Sequence, residues 1–467
     1  MADEAWAFAS LPELGRQLRN GRTTSVALTE FFLDRLERFG ERFGAVVTIT
    51  RELALEQAKQ ADADLQAGRD RGPLHGIPYG AKDLLATRGI PTTWGAAPFR
   101  DQIIDEDATV VVKLRDAGAV LAAKLSMVEI AGGFGYRQAN ASLTGPGRCA
   151  WDDTCWSGGS SSGPGSAVAA GLVPFAIGSE TSGSIMTPAG FNGLTGLRPT
   201  YGLVSRHGAM ALSWTMDKLG PMARSVEDAG LVLAAIAGPD PLDATSLPDG
   251  YVYQPDNVAG WKPRIGIVEG CLRNVDDEVR ANFEAAVEVL KQFAEITDEV
   301  ALPDLPYSAV VGTVISCEMA AAFEEFIRDG KVWELTAAED RWGGHSTLTI
   351  PAKDYLNALR VRRKIQIALD ELLSRLDALI SPTLATEAGP IDRDFREWSR
   401  GFATCPLGVA SNAAGLPGIT IPNGLGARGL PTGIQFIGRT LTENRLLGIA
   451  AEFQKRTEWH RKWPVVS

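Results

Sequence analysis

The chain has 467 residues, a hydrophobic fraction of 45%, a charged fraction of 22% and a formal net charge of −11 at pH 7. This composition is typical of globular proteins with a large core, and it excludes disordered and fibrous classes. The negative charge and the lack of a long basic run argue against binding to nucleic acid or anionic lipid. We therefore expect neither nucleic acid nor a membrane as a partner.

The cysteines form no CxxC pair and no cluster with histidine, so a zinc site or a disulfide framework has little support. Their odd number, five, fits a reducing compartment. The first residues, MADEAWAFAS, lack the basic and apolar regions of a secretory signal. The longest apolar stretch, over 166–178, is too short to cross a bilayer. We expect a cytoplasmic protein without metal or cofactor.

The first seventy residues predict a layer of amphipathic helices. Apolar residues at helical spacing indicate two helices within residues 10–40 and a third over 51–69, which Gly72 and Pro73 end. Residues 109–127 then predict a helix, a turn and a short buried strand. We expect this part of the chain to pack against the rest without doing chemistry itself.

Residues 157–199 are rich in serine and glycine, and this composition is typical of either a flexible linker or a tight system of turns. The apolar segment 167–177 (AVAAGLVPFAI) rules out the linker. The stretch therefore predicts a loop, a helix that begins near Ser166, a buried strand over 172–178 and a second turn that ends at Ser184.

The remainder predicts a second α/β stretch. Residues 264–270 indicate a strand, 276–294 an amphipathic helix, and 376–385 a helix end that leads into another buried strand. No repeat and no long linker interrupts the chain. We expect a single domain over 1–467 with three parts: an N-terminal helical layer (1–70), a core (71–240) and a second α/β part (241–467).

Several of these segments resemble the motifs of the amidase signature family of serine hydrolases. The resemblance covers nearly the whole chain and is carried by GGSSSG at 158–163, GSETSGSI at 178–185, GLRPTYG at 196–202, PLHGIPYGAKD at 73–83, NAAGLPGITIP at 412–422 and GLPTGIQFIGR at 429–439. It implies an α/β fold with one large mixed, mostly parallel sheet between helical layers, and a site at the carboxyl ends of central strands.

The resemblance also implies the catalytic residues. Ser184 matches the nucleophile, Ser160 the bridging serine that follows a cis peptide bond, and Lys82 the general base. Burial lowers the pKa of a lysine, and a neutral lysine can take a proton from Ser184 through Ser160. Asp83, beside the lysine in sequence, would oppose this effect if it pointed inward. The alternatives are an exposed loop lysine and ordinary turn serines.

The backbone N–H groups of Thr181, Ser182, Gly183 and Ser184 match the oxyanion hole of that family. The chain departs from the family pattern twice nearby. Serine stands at 182 where a second glycine is common, so the turn is expected to differ in shape. Methionine stands at 186 where arginine is common, which leaves Glu180 without that partner. We expect these changes to affect substrate geometry more than mechanism.

A different nucleophile, Ser161, is suggested by GSSSG at 159–163, which fits the G-x-S-x-G pattern of a nucleophile elbow. That motif follows a hydrophobic strand, whereas residues 147–157 are irregular and polar. A chance match in a serine-rich run is the better interpretation.

The substrate is less defined by the sequence. Residues 196–246 resemble one branch of the family, the glutamine-hydrolysing A subunit of tRNA-dependent amidotransferases. Arg362 matches that subunit's carboxylate-binding arginine or is a surface residue, while Cys405 stands where the subunit has an aspartate. The aromatic residues near the signature indicate either a pocket for an apolar group or core and lid packing; they are Trp151, Trp156 and Trp214.

From these patterns we expect an amidase that cleaves a small neutral or aryl amide, as a monomer or homodimer, with ester or carbamate hydrolysis open to the same acyl-enzyme. One alternative is the glutamine-hydrolysing subunit. The other is a non-catalytic scaffold subunit, which the presence of all three matched residues disfavours.

Overall fold

The computed structural model describes residues 4–403 and 405–466. Within them, eleven strands form one mixed sheet and two more form a small hairpin. The strands are β1 (Val46–Ile49), β2 (Pro78–Lys82), β3 (Val120–Leu125), β4 (Arg148–Cys149), β5 (Asp152–Trp156), β6 (Phe175–Glu180), β7 (Thr195–Arg198), β8 (Lys218–Ala223), β9 (Arg264–Val268), β10 (Glu295–Val300), β11 (Ala378–Pro382), β12 (Gly418–Leu425) and β13 (Pro431–Ile437).

The helices cover the sheet, and the first of them follow the sequence prediction. Within 10–40 the structure has two helices, α2 and α3, whose capping residues Ser10 and Thr24 accept hydrogen bonds from backbone N–H groups. The helices are α1 (Glu4–Ala7), α2 (Leu11–Arg19), α3 (Ser25–Phe39), α4 (Arg51–Gln66), α5 (Thr109–Asp116), α6 (Ser162–Ala169), α7 (Met186–Asn192), α8 (Val226–Ile236), α9 (Asp277–Leu290), α10 (Tyr307–Ala322), α11 (Glu324–Arg328), α12 (Ala338–Thr347), α13 (Ala352–Leu373), α14 (Leu407–Ala414) and α15 (Glu443–Lys455).

The large sheet has the order β1-β3-β2-β6-β8-β7-β12-β13-β11-β9-β10. Its parallel pairs form two blocks, β3-β2-β6 and β11-β9-β10, and antiparallel pairs join these blocks across the centre. The predicted α/β fold with a large mixed sheet is confirmed, with the parallel arrangement concentrated in those two blocks. Strands from before and after residue 240 lie in this one sheet.

Burial explains the strand sequences. The central strands, such as β3 (VLAAKL), are buried along their whole length, which is typical of strands covered on both faces. The edge strand β10 (EITDEV) is mostly exposed and carries acidic residues, which discourage pairing with another chain.

The topology brings the sequence motifs together at one edge of the sheet. β2 and β6 are parallel neighbours, so their carboxyl ends, Lys82 and Glu180, lie at the same edge. The strand predicted over 172–178 is β6, and the helix predicted near Ser166 begins earlier, at Ser162. The chain therefore delivers the glycine- and serine-rich loop and the second turn to the end of the lysine strand.

Candidate active site

Lys82 is the most deeply placed member of the predicted site. Its side chain is fully buried, and its ammonium group donates to Ser160 Oγ at 2.7 Å and to Ser179 Oγ at 2.9 Å. Burial lowers the pKa of Lys82 to about 7, against a smaller opposing effect of the Asp217 and Glu180 carboxylates. A substantial fraction of this lysine is therefore neutral near pH 7 and able to accept a proton.

The Asp83 carboxylate does not restore the charge of that lysine. It accepts a hydrogen bond from Thr93 N at 3.0 Å and lies 3.1 Å from the ammonium group of Lys124, on the adjacent strand. Successive residues of a strand point to opposite faces, so Asp83 is directed away from Lys82.

Ser160 lies next to the Lys82 ammonium group, between Gly159 and Ser161 in the chain. The Gly159–Ser160 peptide bond is cis, as in the resembled family. The next residue, Ser161, is fully buried; its hydroxyl donates to the Ser179 carbonyl at 3.1 Å, and its N–H donates to the Ser184 carbonyl at 3.3 Å. Ser161 therefore braces the two turns against each other, which is a structural role and does not suit an elbow nucleophile.

The turn at 181–184 presents a row of unused donors. Among the described residues, none accepts a hydrogen bond from the backbone N–H of Thr181, Ser182, Gly183 or Ser184. Gly183 has φ +93°, which requires glycine, whereas Ser182 has no positive φ. Serine at 182 is therefore compatible with this backbone, and the turn can direct several N–H groups at a developing oxyanion.

The Glu180 carboxylate holds this turn in place through hydrogen bonds. Its carboxylate accepts hydrogen bonds from Ile185 N at 2.9 Å, Met186 N at 3.0 Å, Asn412 Nδ2 at 2.9 Å and Arg198 Nη1 at 2.8 Å. Methionine at 186 leaves Glu180 without an arginine at that position, and Arg198 of the GLRPTYG motif pairs with the carboxylate instead.

The ionisation of this anchor follows from its partners. Burial alone would raise the pKa of Glu180, but the charges of Arg198 and Lys218 hold it at about 2. The carboxylate is therefore ionised and fixes the start of α7, two residues after Ser184. Ser179, Arg198 and Asn412 were missed as site residues in the sequence, although all three stand inside the quoted motifs.

A cavity of about 340 Å³ opens onto Ser184 and the 181–184 turn. Trp156 and Cys405 line it. Trp214 lines a neighbouring cavity, and Trp151 donates its indole N–H to the Asn192 carbonyl at 3.0 Å, which is a packing role. Of the three predicted tryptophans, the structure thus brings only Trp156 to this cavity.

Arg362 does not line the cavity either. It is 7% exposed, its Nε donates to the Ala413 carbonyl at 2.7 Å, and its other nitrogens donate to the side chain and carbonyl of Thr215. Neither of the two predictions holds in this structure, because the guanidinium group is neither at the surface nor free to bind a carboxylate. It joins α13 to α14 instead.

The α/β sheet and this cluster of buried lysine, serine hydroxyls and unused N–H groups are the features of enzymes that hydrolyse through serine. A family model described as Amidase matches residues 27–447. The chain belongs to this family, the amidase signature hydrolases of carbon–nitrogen bonds, and the resemblance drawn from the motifs is confirmed.

Relatives and solved structures extend over nearly the whole chain. The A subunit of a glutamyl-tRNA(Gln) amidotransferase from Azoarcus sp. is 37% identical over 98% of this chain and 99% of its own length. The native peptide amidase from Stenotrophomonas maltophilia has a TM-score of 0.84 and 31% identity over 96% of this chain and 97% of that one. The A subunit of the same amidotransferase from Thermotoga maritima has a TM-score of 0.79 at 27% identity, over 97% of this chain and 95% of that one.

These relatives overturn one expectation. The prediction of a monomer or homodimer without a nucleic-acid partner is wrong, because several relatives of nearly equal length are named as subunits of a glutamyl-tRNA amidotransferase. Net charge describes only the average surface, so it does not exclude a local interface. Within the described residues, no helix has both the length and the apolar character needed to cross a membrane.

Proposed function

We propose that the chain hydrolyses a carbon–nitrogen amide bond through an acyl-enzyme on Ser184, with Ser160 as the bridging group and Lys82 as the general base. The observation that carries this proposal is the 2.7 Å hydrogen bond between the buried Lys82 ammonium group and Ser160 Oγ. A lysine that meets hydroxyl groups rather than a carboxylate, and whose pKa is lowered to about 7, is suited to accept a proton.

The steps follow from this arrangement. Ser184 Oγ attacks the amide carbon while its proton passes through Ser160 to Lys82, and the oxygen that becomes negative accepts hydrogen bonds from the 181–184 turn. The proton then returns through Ser160 to the amide nitrogen as the C–N bond breaks. Water repeats the sequence on the ester and releases the carboxylic acid and free Ser184.

The relatives favour glutamine as the substrate and a tRNA-dependent amidotransferase as the assembly. The similarity to the Azoarcus sp. protein spans 98% of this chain and 99% of the relative, so it extends well beyond the catalytic motifs. In this proposal the chain works together with other subunits, which its full reaction requires.

The cavity favours a second candidate, a neutral amide. Among its described lining residues, the charged side chains are Glu180 and Arg198, which pair with each other. Cys405 occupies the place of the expected aspartate, and the donors of Arg362 are engaged elsewhere. A free amino acid would therefore bury its ammonium and carboxylate groups without charged partners, which costs several kcal/mol.

One experiment tests both the chemistry and the substrate. The purified chain is treated with a fluorophosphonate and the adduct is mapped, with Ser161→Ala as a matched control from the same serine run. We expect an adduct on Ser184 that Ser161→Ala retains and Ser184→Ala loses. An adduct elsewhere on folded protein would overturn the proposed nucleophile.

The same preparation then receives glutamine or neutral amides, alone and with the other amidotransferase subunits of its own organism. Glutamine turnover that requires these subunits supports the amidotransferase. Turnover of neutral amides by the chain alone supports the second candidate.

A further inference from the structure

One aromatic side chain in the catalytic cavity has no role in the reaction described so far. Tyr136 lines the cavity together with Trp156, Gly159 and Ser184. Its ring packs edge to face against Trp156 at 6.2 Å and against Phe395 at 5.6 Å between centroids, so its orientation is held on two sides.

The hydroxyl group of Tyr136 lies beside Gly159, the residue that precedes the bridging Ser160. A Cβ atom placed on Gly159 would be 3.2 Å from Tyr136 Oη and 2.9 Å from Trp156 Cζ2. Glycine at 159 therefore leaves room for the phenol and the indole edge to approach the backbone directly before Ser160.

This hydroxyl group is also available to a ligand. No described residue forms a hydrogen bond with Tyr136 Oη, and the oxygen is not sealed in the core. Burial raises the pKa of the Tyr136 phenol, so the group remains protonated and can donate a hydrogen bond. A half-buried donor without a protein acceptor leaves room for an acceptor on the substrate.

The reaction itself defines which part of the substrate lies there. The negative oxygen belongs at the N–H groups of 181–184, whereas the departing nitrogen must receive its proton from Ser160. The amine part of the amide therefore lies against Ser160, on the side where Gly159 and Tyr136 are found.

We propose that Tyr136 and Trp156 form a leaving-group subsite for an N-substituted amide, whose amine part is aromatic or apolar and carries a hydrogen-bond acceptor for Tyr136 Oη. This inference rests on the second candidate of the proposed function, the neutral amide, and narrows it to N-substituted amides, because the ammonia released from glutamine or another primary amide is too small to use such a subsite. Tyr136 contacts the substrate and takes no part in proton transfer.

The test compares three amides with the same acyl group: a primary amide, an anilide and a 4-nitroanilide, whose nitro group is the acceptor. Tyr136→Phe should lower kcat/KM for the 4-nitroanilide about tenfold more than for the other two, since one hydrogen bond is lost. Tyr136→Ala should lower kcat/KM for both anilides relative to the primary amide.

Tyr201→Phe is the matched control. Its hydroxyl donates to the Trp214 carbonyl, outside this cavity, so the ratios among the three substrates should stay at the wild-type values. Equal effects of the Tyr136 variants on all three substrates, or wild-type turnover confined to primary amides, would overturn the subsite while the acyl-enzyme on Ser184 stands. Absence of a fluorophosphonate adduct on Ser184 of the wild type would instead contradict the proposed function itself.

Discussion

Two buried lysines on neighbouring strands show how the same burial produces different chemistry. Lys82 on β2 and Lys124 on β3 are both fully buried. Lys124 lies 3.1 Å from the Asp83 carboxylate and donates to Thr92 Oγ1 at 2.8 Å, whereas the partners of Lys82 among the described residues are the hydroxyl groups of Ser160 and Ser179.

The difference lies in the partner. Burial lowers the pKa of Lys124 as well, but the Asp83 carboxylate beside it opposes this effect, and the pair serves the structure. An ammonium group beside hydroxyl groups keeps most of the cost of burial, which lowers the pKa of Lys82 to about 7. Burial acts on both lysines, and what distinguishes Lys82 is its contact with serine hydroxyl groups, which can pass a proton, in place of a carboxylate.

Replacing Lys82, the catalytic lysine of the two, has the largest expected effect. Lys82→Met should slow fluorophosphonate labelling of Ser184 by about 10²- to 10⁴-fold, because the general base is lost while apolar volume is kept. The rate is measured by quenching the labelling of folded protein at successive times. Retention of most of the wild-type rate would place the base elsewhere.

Replacing Lys124, the structural lysine of the two, should affect the stability of the fold. Lys124→Met should lower the free energy of unfolding by about 3–5 kcal/mol, since the Asp83 carboxylate is then buried without a counter-charge. Asp83→Asn in the same chain should recover part of this loss. Denaturant unfolding measures both, and the labelling rate of the folded fraction should equal that of the wild type. Unchanged stability would mean that the pair is not compensating buried charge.

The second hydroxyl partner of Lys82 sharpens the comparison. Ser179 Oγ accepts a hydrogen bond from the Lys82 ammonium group at 2.9 Å and so favours its charged form. Ser179→Ala should move the pH midpoint of labelling below that of the wild type, because the charged form of Lys82 loses a hydrogen bond. It should also lower the plateau rate about tenfold, because the lysine becomes a weaker base and loses one of the contacts that position it. Ser166→Ala, which removes a buried hydroxyl bonded to the Arg148 carbonyl, is the control. A midpoint that moves upward would contradict this account.

The pH dependence itself tests the state of the lysine. Because only neutral Lys82 can accept the proton, labelling should rise with pH and reach half of its plateau near pH 7. The rate is low below this value, where the lysine is charged. A profile that is flat between pH 5 and 9, measured on protein that stays folded, would show that Lys82 is not the titrating base.

Two buried acids also differ in pKa according to their neighbours, and the prediction drawn from them has the smallest expected effect. Cationic partners hold the pKa of Glu180 near 2, whereas burial and the nearby Glu129 raise the pKa of Asp340 to about 9. The folded state thus keeps a proton on Asp340 that the unfolded chain loses near pH 4, so this contribution to stability declines as pH rises from about 4 to about 9.

Asp340→Asn removes that titration. The variant should melt a few degrees above the wild type at pH 8, with an advantage that shrinks toward pH 5. Thermal melts across this range measure the difference. An advantage that is the same at every pH would show that Asp340 is not protonated in the fold.

The sequence by itself determined the local elements and the family. Periodic apolar residues and capping residues predicted α2 and α3, and the small-residue run predicted the loop, helix and strand before Ser184. These features depend on residues close together in the chain, where spacing and turn chemistry are sufficient evidence.

Only the tertiary structure decided the charge partners. It directs Asp83 to Lys124, gives Glu180 the cation Arg198, places Ser179 on Lys82 and withdraws Arg362 from the cavity. Each of these contacts depends on which strand face a residue occupies and on which distant segment packs there. Such contacts have no local pattern, since the energy of a buried charge depends on its neighbours in space rather than on its neighbours in sequence.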